Sequence, residues 1–152
     1  MQYQLSFSST LKADRPALWR WITSIEGISW EMSPYLRMTF PRGVTALESI
    51  AVVPGRPLFR SWLWFLKVIP FDYSDFCLQR LDPAEGFTEL SRMGSMRMWK
   101  HVRRIVPAEN GYTLTDELTF EPRYAGWLAN KVVSLFFTHR HRRLRQHFGM
   151  AE

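Results

Sequence analysis

The sequence predicts an α+β fold in which a seven-stranded antiparallel sheet wraps around one long C-terminal helix, with two short helices after the first strand. Three observations predict it. Helix-start signals stand between an opening strand-like run and residue 34, and alternating runs separated by turn residues then fill positions 35–120. The run YAGWLANKVVSLFFTHRHRRLRQHF near the end of the chain then carries its apolar residues at helical spacing. At 152 residues, 46% of them apolar and seven of them Trp, the chain has material for one domain with a real core, so 1–152 is read as one domain.

The elements follow in order. YQLSFSS (3–9) alternates like a half-buried strand. Asp14 and Pro16 then suit a helix start, with Leu18, Trp21 and Ile22 at helical spacing. EGISWEMSP forms a second short helix that ends at Pro34. YLRMTF places Leu36, Met38 and Phe40 on one face, and LFRSWLWF and DFCLQRL are strands on either side of a turn-like KVIPFD. GFTELSRM and MRMWKHVRRIV meet at a Gly94-Ser95 corner, and the latter pairs with GYTLTDELTF across the loop PAENG. In the final helix Leu128, Val132, Leu135, Phe136 and His139 fall on one stripe, extended by Phe137, Leu144 and Phe148. At ~1.5 Å per residue this helix runs to roughly 35 Å, enough to cross the sheet.

Strand phase locates the polar centre. In GYTLTDELTF, Asp116 shares a face with Tyr112, Leu114, Leu118 and Phe120, so it is carried inward. In GFTELSRM, Glu89 and Ser91 are in phase with Phe87 and Met93. In MRMWKHVRR, His101 and Arg103 are in phase with Trp99 and Ile105, while the opposite phase would bury Lys100 and Arg104. Glu89, His101, Arg103 and Asp116 are therefore expected together on the concave side, since buried charges occur as partnered sets. Such a set either fixes strand register and anchors the helix or orients a ligand. His101 between carboxylates is also the candidate general acid/base.

FTELSRM, MRMWKHVRRI, GYTLTDELTF and the terminal FFTHRHRRL resemble bacterial ligand-binding proteins of the START-like (SRPBCC) superfamily. The resemblance covers essentially the whole chain. Its local motif is a Trp-x-His-x-Arg strand, met here as Trp99, His101 and Arg103, with Val102 where relatives often carry Glu. It implies a helix-grip fold with a cavity between sheet and helix, in a superfamily whose members bind, transport or transform hydrophobic molecules, polyketide cyclases among them. The expected function is binding or transport of a small hydrophobic molecule with a polar end. The expected ligand-binding residues are Glu89, Ser91, Trp99, His101, Arg103, Asp116, Leu114, Leu118, Phe120, Leu128, Val132, Leu135 and Phe136. A cyclase- or hydratase-like enzyme using His101 is the alternative, and a membrane-surface domain a third.

Other chemistry finds little support. The single Cys77 allows no internal disulfide and has no neighbouring His or Lys to activate it. Gly-rich phosphate loops, GxSxG, HExxH and CxxC are absent, so no cofactor or metal is expected; His139 and His141, two apart on a helix, make a poor metal pair. MQYQLSFSST does not read as a signal peptide and no run reaches the ~20 apolar residues of a membrane span, so a cytoplasmic location is expected. The net charge of +6 leans on HRHRRLRQH, whose Arg140, Arg142, Arg143 and Arg145 spread around a helix end. That run reads first as a solvated terminus and second as a contact for an anionic membrane; the aromatics lie away from it, which argues against nucleic acid. In SWLWF either Phe59, Leu63 and Phe65 or both tryptophans face inward.

Overall fold

A computed structural model describes residues 1–151. Strand β1 (Tyr3–Leu11) leads into helices α1 (Arg15–Thr23) and α2 (Ile25–Met32). Strands β2 (Leu36–Met38), β3 (Phe59–Phe65), β4 (Ile69–Phe76), β5 (Leu78–Asp82), β6 (Gly86–Met93), β7 (Met96–Ala108) and β8 (Gly111–Pro122) follow, and helix α3 (Gly126–Phe148) closes the chain. The strands pair antiparallel in the order β1-β8-β7-β6-β4-β3-β2, with β5 also paired to β6. The curled sheet grips α3, which is the α+β helix-grip arrangement. No helix is long and apolar enough to cross a membrane among the described residues.

Local chemistry accounts for the helical pair. The Asp14 carboxylate accepts from Ala17 N at 2.8 Å and caps α1, with Pro16 in the first turn. Ser24 closes α1 and opens α2: its N–H donates to Trp21 O and its Oγ accepts from Gly27 N at 2.9 Å.

The structure has eight strands because the run DFCLQRL is divided at Cys77, whose N–H donates to Ser91 Oγ at 3.0 Å instead of continuing one ladder. The turn before it also lies earlier than KVIPFD suggests. Leu66 and Lys67 carry it with φ of 52° and 65°, and residues 69–72 already belong to β4. Two consecutive positive φ values usually call for Asn-Gly, so Leu-Lys left no cue. A bulge between Leu63 and Trp64 accommodates Pro70 opposite Trp64. On β3 the inward set is Phe59, Ser61 and Leu63, and past the bulge Phe65 turns outward.

The core has three parts. Leu18 and Ile22 of α1 pack with Leu11, Ile105, Leu114 and Leu144. Ile28 and Met32 of α2 pack with Leu47, Phe76, Leu78 and Phe87. Met96, Leu118 and Phe120 pack under Val133 and Phe137 of α3. The buried face of α3 is thus Val133, Phe137, Arg140, His141 and Leu144. This corrects the stripe read from the sequence: Leu128, Val132 and Leu135 are 46%, 55% and 63% exposed. Hydropathy counts Arg140 and His141 as polar, yet these are the residues α3 sends into the interior.

Gly86 shows how tightly the sheet closes. Its φ is +135°, and a Cβ there would lie 1.8 Å from the carbonyl oxygen of Arg103. Gly86→Ala is expected to cost about 1–3 kcal/mol, read as a lower urea midpoint at unchanged slope.

Candidate functional site

Sheet register assembles the polar centre. Asp116 on β8 lies between Phe7 on β1 and Arg103 on β7, and Glu89 on β6 faces His101 on β7. Arg103 donates to Asp116 through Nε (2.7 Å) and Nη2 (2.9 Å). It also donates to Glu31 of α2 through Nη1 (3.1 Å) and Nη2 (2.5 Å). His101 Nε2 and His141 Nε2 lie 2.6 and 2.7 Å from the two oxygens of Asp116, and Arg140 Nε donates to Glu31 at 2.8 Å. One sheet and two helices are thereby tied at a single point.

Glu31, Arg103 and Asp116 are fully buried. Burial by itself pushes the Glu31 carboxyl up, but Arg103 and Arg140 outweigh it and hold Glu31 below its ordinary range. Asp116 is likewise pushed up by burial and then held well below its usual range by Arg103 and His101. Desolvation would lower Arg103, and the two carboxylates reverse this and raise it.

The bond pattern settles the histidine roles. Asp116, an ionised carboxylate, only accepts, so both Nε2 atoms carry hydrogens. Ser9 Oγ accepts from Arg145 Nη1 (2.9 Å) and is hydrogen-bonded to His141 Nδ1 (2.7 Å), which completes His141. His101 differs. Its Nδ1 is 3.8 Å from Glu89 Oε1 with no hydrogen bond among the described residues, while Glu89 Oε2 accepts from Ser91 Oγ at 2.7 Å. Both Nη atoms of Arg140 are also unused among the described residues, and its guanidinium lies 4.8 Å from the Phe137 ring centre.

These open positions face a cavity of about 460 Å3 between the sheet, α2 and α3. Glu89, His101 and Arg140 form its polar floor, and its walls include Ile28, Met32, Met38, Leu63, Phe87, Trp99 and Phe136. Phe71, Tyr124, Leu128 and Val132 border it and are each about half exposed or more, which marks the mouth. A second polar group, Asp72, Ser74 and Ser95, lies in the wall near the β6–β7 corner. An open groove of about 800 Å3 between α1 and residues 44–48 lies elsewhere; its Glu48 is taken by the Trp19 indole N–H, and no comparable cluster converges there.

Of the residues expected to bind ligand, Glu89, Trp99, His101, Leu128, Val132 and Phe136 line the cavity. Ser91 stands behind Glu89, and Arg103 and Asp116 are sealed beneath the floor. Leu114, Leu118, Phe120 and Leu135 are not in the lining. Leu114 packs with α1, Leu118 and Phe120 lie in the core under Phe137, and Leu135 points outward. Phe137 stacks over Phe7 and against Trp99 and His101, so it occupies the space above β8.

Glu31, Arg140 and His141 were not anticipated in the polar centre. Glu31 lies three residues after Ile28 on α2, a spacing that puts it on the same face, which was an available signal. The basic run is also corrected as a solvated terminus. Arg140 is buried on Glu31, Arg143 lies 3.7 Å from the Trp30 ring centre, and Arg145 is held by Ser9, which leaves Arg142 exposed.

A family model described as "Domain of unknown function (DUF8410)" matches residues 9–148. No curated protein matches the chain. Among solved structures, the Zhui aromatase/cyclase from a Streptomyces species superposes with TM-score 0.69 at 12% identity, covering 97% of this chain and 93% of that one. A START superfamily protein from Mycobacterium smegmatis gives 0.64 at 13%, covering 95% and 96%. A Chromobacterium violaceum protein gives 0.70 at 10%, covering 97% and 99%. At these identities the likeness is one of fold, and that fold is START-like, of the SRPBCC type.

Proposed function

Since the chain belongs to the DUF8410 family, a domain of unknown function, its activity has to be read from the cavity, and we propose that it binds a small, largely apolar molecule with a polar end. The observation that carries this reading is the apolar cavity of about 460 Å3 whose floor presents unused hydrogen-bonding positions on Arg140, His101 and Glu89. The size suits a small ligand, and apolar walls contribute about 25 cal/mol per Å2 of surface they take from water.

The floor also states what the polar end does. Arg140 only donates and Glu89 accepts, so a hydroxyl that accepts from the first and donates to the second satisfies both. Arg103 and Arg140 are already matched by Glu31 and Asp116, so the floor holds no uncompensated cation and favours a neutral end over a carboxylate. In this reading Trp99, Phe136, Leu128 and Val132 form apolar surface, Ser91 positions Glu89, and Asp116 with Arg103 positions His101.

The test is native mass spectrometry of freshly purified protein, solvent extraction of any adduct, and titration with the neutral apolar dye Nile red. A stoichiometric adduct or saturable dye binding is expected, with the recovered ligand bound about tenfold more weakly by His101→Ala, the loss of one hydrogen bond to a desolvated group. No adduct and no dye binding would overturn the reading. A reaction of the recovered molecule that disappears in His101→Gln would instead establish the enzymatic alternative.

A further inference from the structure

Resting on that reading, we infer that the ligand is polar at both ends: a neutral chain with hydroxyl groups about 14–16 Å apart. The second polar group supplies the reason. Ser74 is 3% exposed and lines the cavity, yet its Oγ has no hydrogen-bond partner among the described residues. Its cross-strand neighbour Ser61, fully buried, is in the same condition. Buried hydroxyls are ordinarily paired, so an unpaired one on a residue of the cavity wall is a place for a ligand atom, reached when the side chain turns its Oγ out of the sealed rotamer.

Asp72, two residues away on the same face of β4, completes the site. It is 8% exposed and lines the cavity. It accepts from Tyr73 N (2.8 Å), Ser95 N (3.0 Å) and Ser95 Oγ (2.5 Å). A carboxylate has about four acceptor positions, so one remains. None of the salt bridges among the described residues involves Asp72. This end, like the first, pairs a carboxylate that accepts with a donor beside it. A hydroxyl fits both, and a second carboxylate would be repelled.

The strand register sets the spacing. Ser74 pairs with Met93 and His101 pairs with Glu89, both on β6. Four residues of strand at about 3.3 Å each, with one strand spacing of about 4.8 Å across to Glu89 and two to His101, separate the two polar groups by about 14–16 Å. Met93, Trp99 and Phe136 line the stretch between them, so the middle of the ligand is apolar.

Displacement of Nile red by dodecanol, by the α,ω-diol of the same chain length and by dodecanedioic acid tests this. The diol is expected to displace the dye at about tenfold lower concentration than dodecanol, and the diacid to be the weakest. In Ser74→Ala, with an unchanged circular dichroism spectrum, the preference for the diol should fall below about threefold while dodecanol binds as before. Dodecanol and diol binding alike, or a preference untouched by Ser74→Ala, would overturn the two-ended ligand and leave the cavity reading standing. If Nile red does not bind at all, both fall.

Discussion

Arg103→Met is expected to destabilise the protein by about 3–5 kcal/mol, the cost of removing one partner from a buried ionic set. Arg103 is fully buried and makes four hydrogen bonds, two to Asp116 and two to Glu31. Methionine fills much of the volume and leaves Glu31 with Arg140 alone and Asp116 with two histidines. Against a typical total of about 5–15 kcal/mol, such a loss removes roughly between a fifth and nearly all of the stability. Lysine should not rescue the variant, because a point charge cannot serve two carboxylates in the bidentate geometry that the guanidinium provides. Urea denaturation of wild type, Arg103→Met and Arg103→Lys measures the effect. A variant within about 1 kcal/mol of wild type would contradict the prediction, since it would mean that Glu31 and Asp116 lose no essential partner with Arg103.

Acid should unfold the protein through the same residues. Glu31 and Asp116 both titrate lower in the folded chain than when unfolded, where ordinary values near 4 apply. The unfolded state therefore takes up protons first as pH falls. Their stabilisation is fully present above about pH 5 and is lost progressively below about pH 4, as the unfolded chain takes up protons that the folded carboxylates still refuse. Each unit by which a carboxylate is held down corresponds to about 1.4 kcal/mol. A series of urea midpoints from pH 7 to pH 2.5 should be level at first and then fall steeply. Asp116→Asn should start lower and fall less, having lost one of the two titrating groups. A profile that stays level to pH 3 would contradict the assignment.

The phases of the sheet were legible in the sequence because alternation along a strand is strict. Asp116 sits among Leu114, Leu118 and Phe120, and that alone placed it inside; the same logic placed His101 and Arg103 and kept Lys100 and Arg104 out. Helix α3 was read less well. Its period is broad enough that shifting the inner stripe by one residue exchanges Val132 and Phe136 for Val133 and Phe137, and the deciding residues, Arg140 and His141, point inward only because carboxylates wait there. The β3–β4 turn was misplaced for a related reason: Leu66 and Lys67 take up a conformation that their side chains do not announce.

From its sequence alone this protein is determined to be an α+β chain with a sheet around a terminal helix and Glu89, His101, Arg103 and Asp116 turned inward, because strand periodicity and the cost of unpaired charge act locally. Which charges meet was decided only by tertiary structure. Glu31, which the strand phases could not include, joins Asp116 on Arg103, since α2 packs against α3 and brings a carboxylate within 2.5 Å of the guanidinium. That arrangement leaves Glu89, His101 and Arg140 with open hydrogen-bonding positions at the cavity floor. Contacts between residues 72 and 109 positions apart are set by how the elements pack, and no local pattern encodes them.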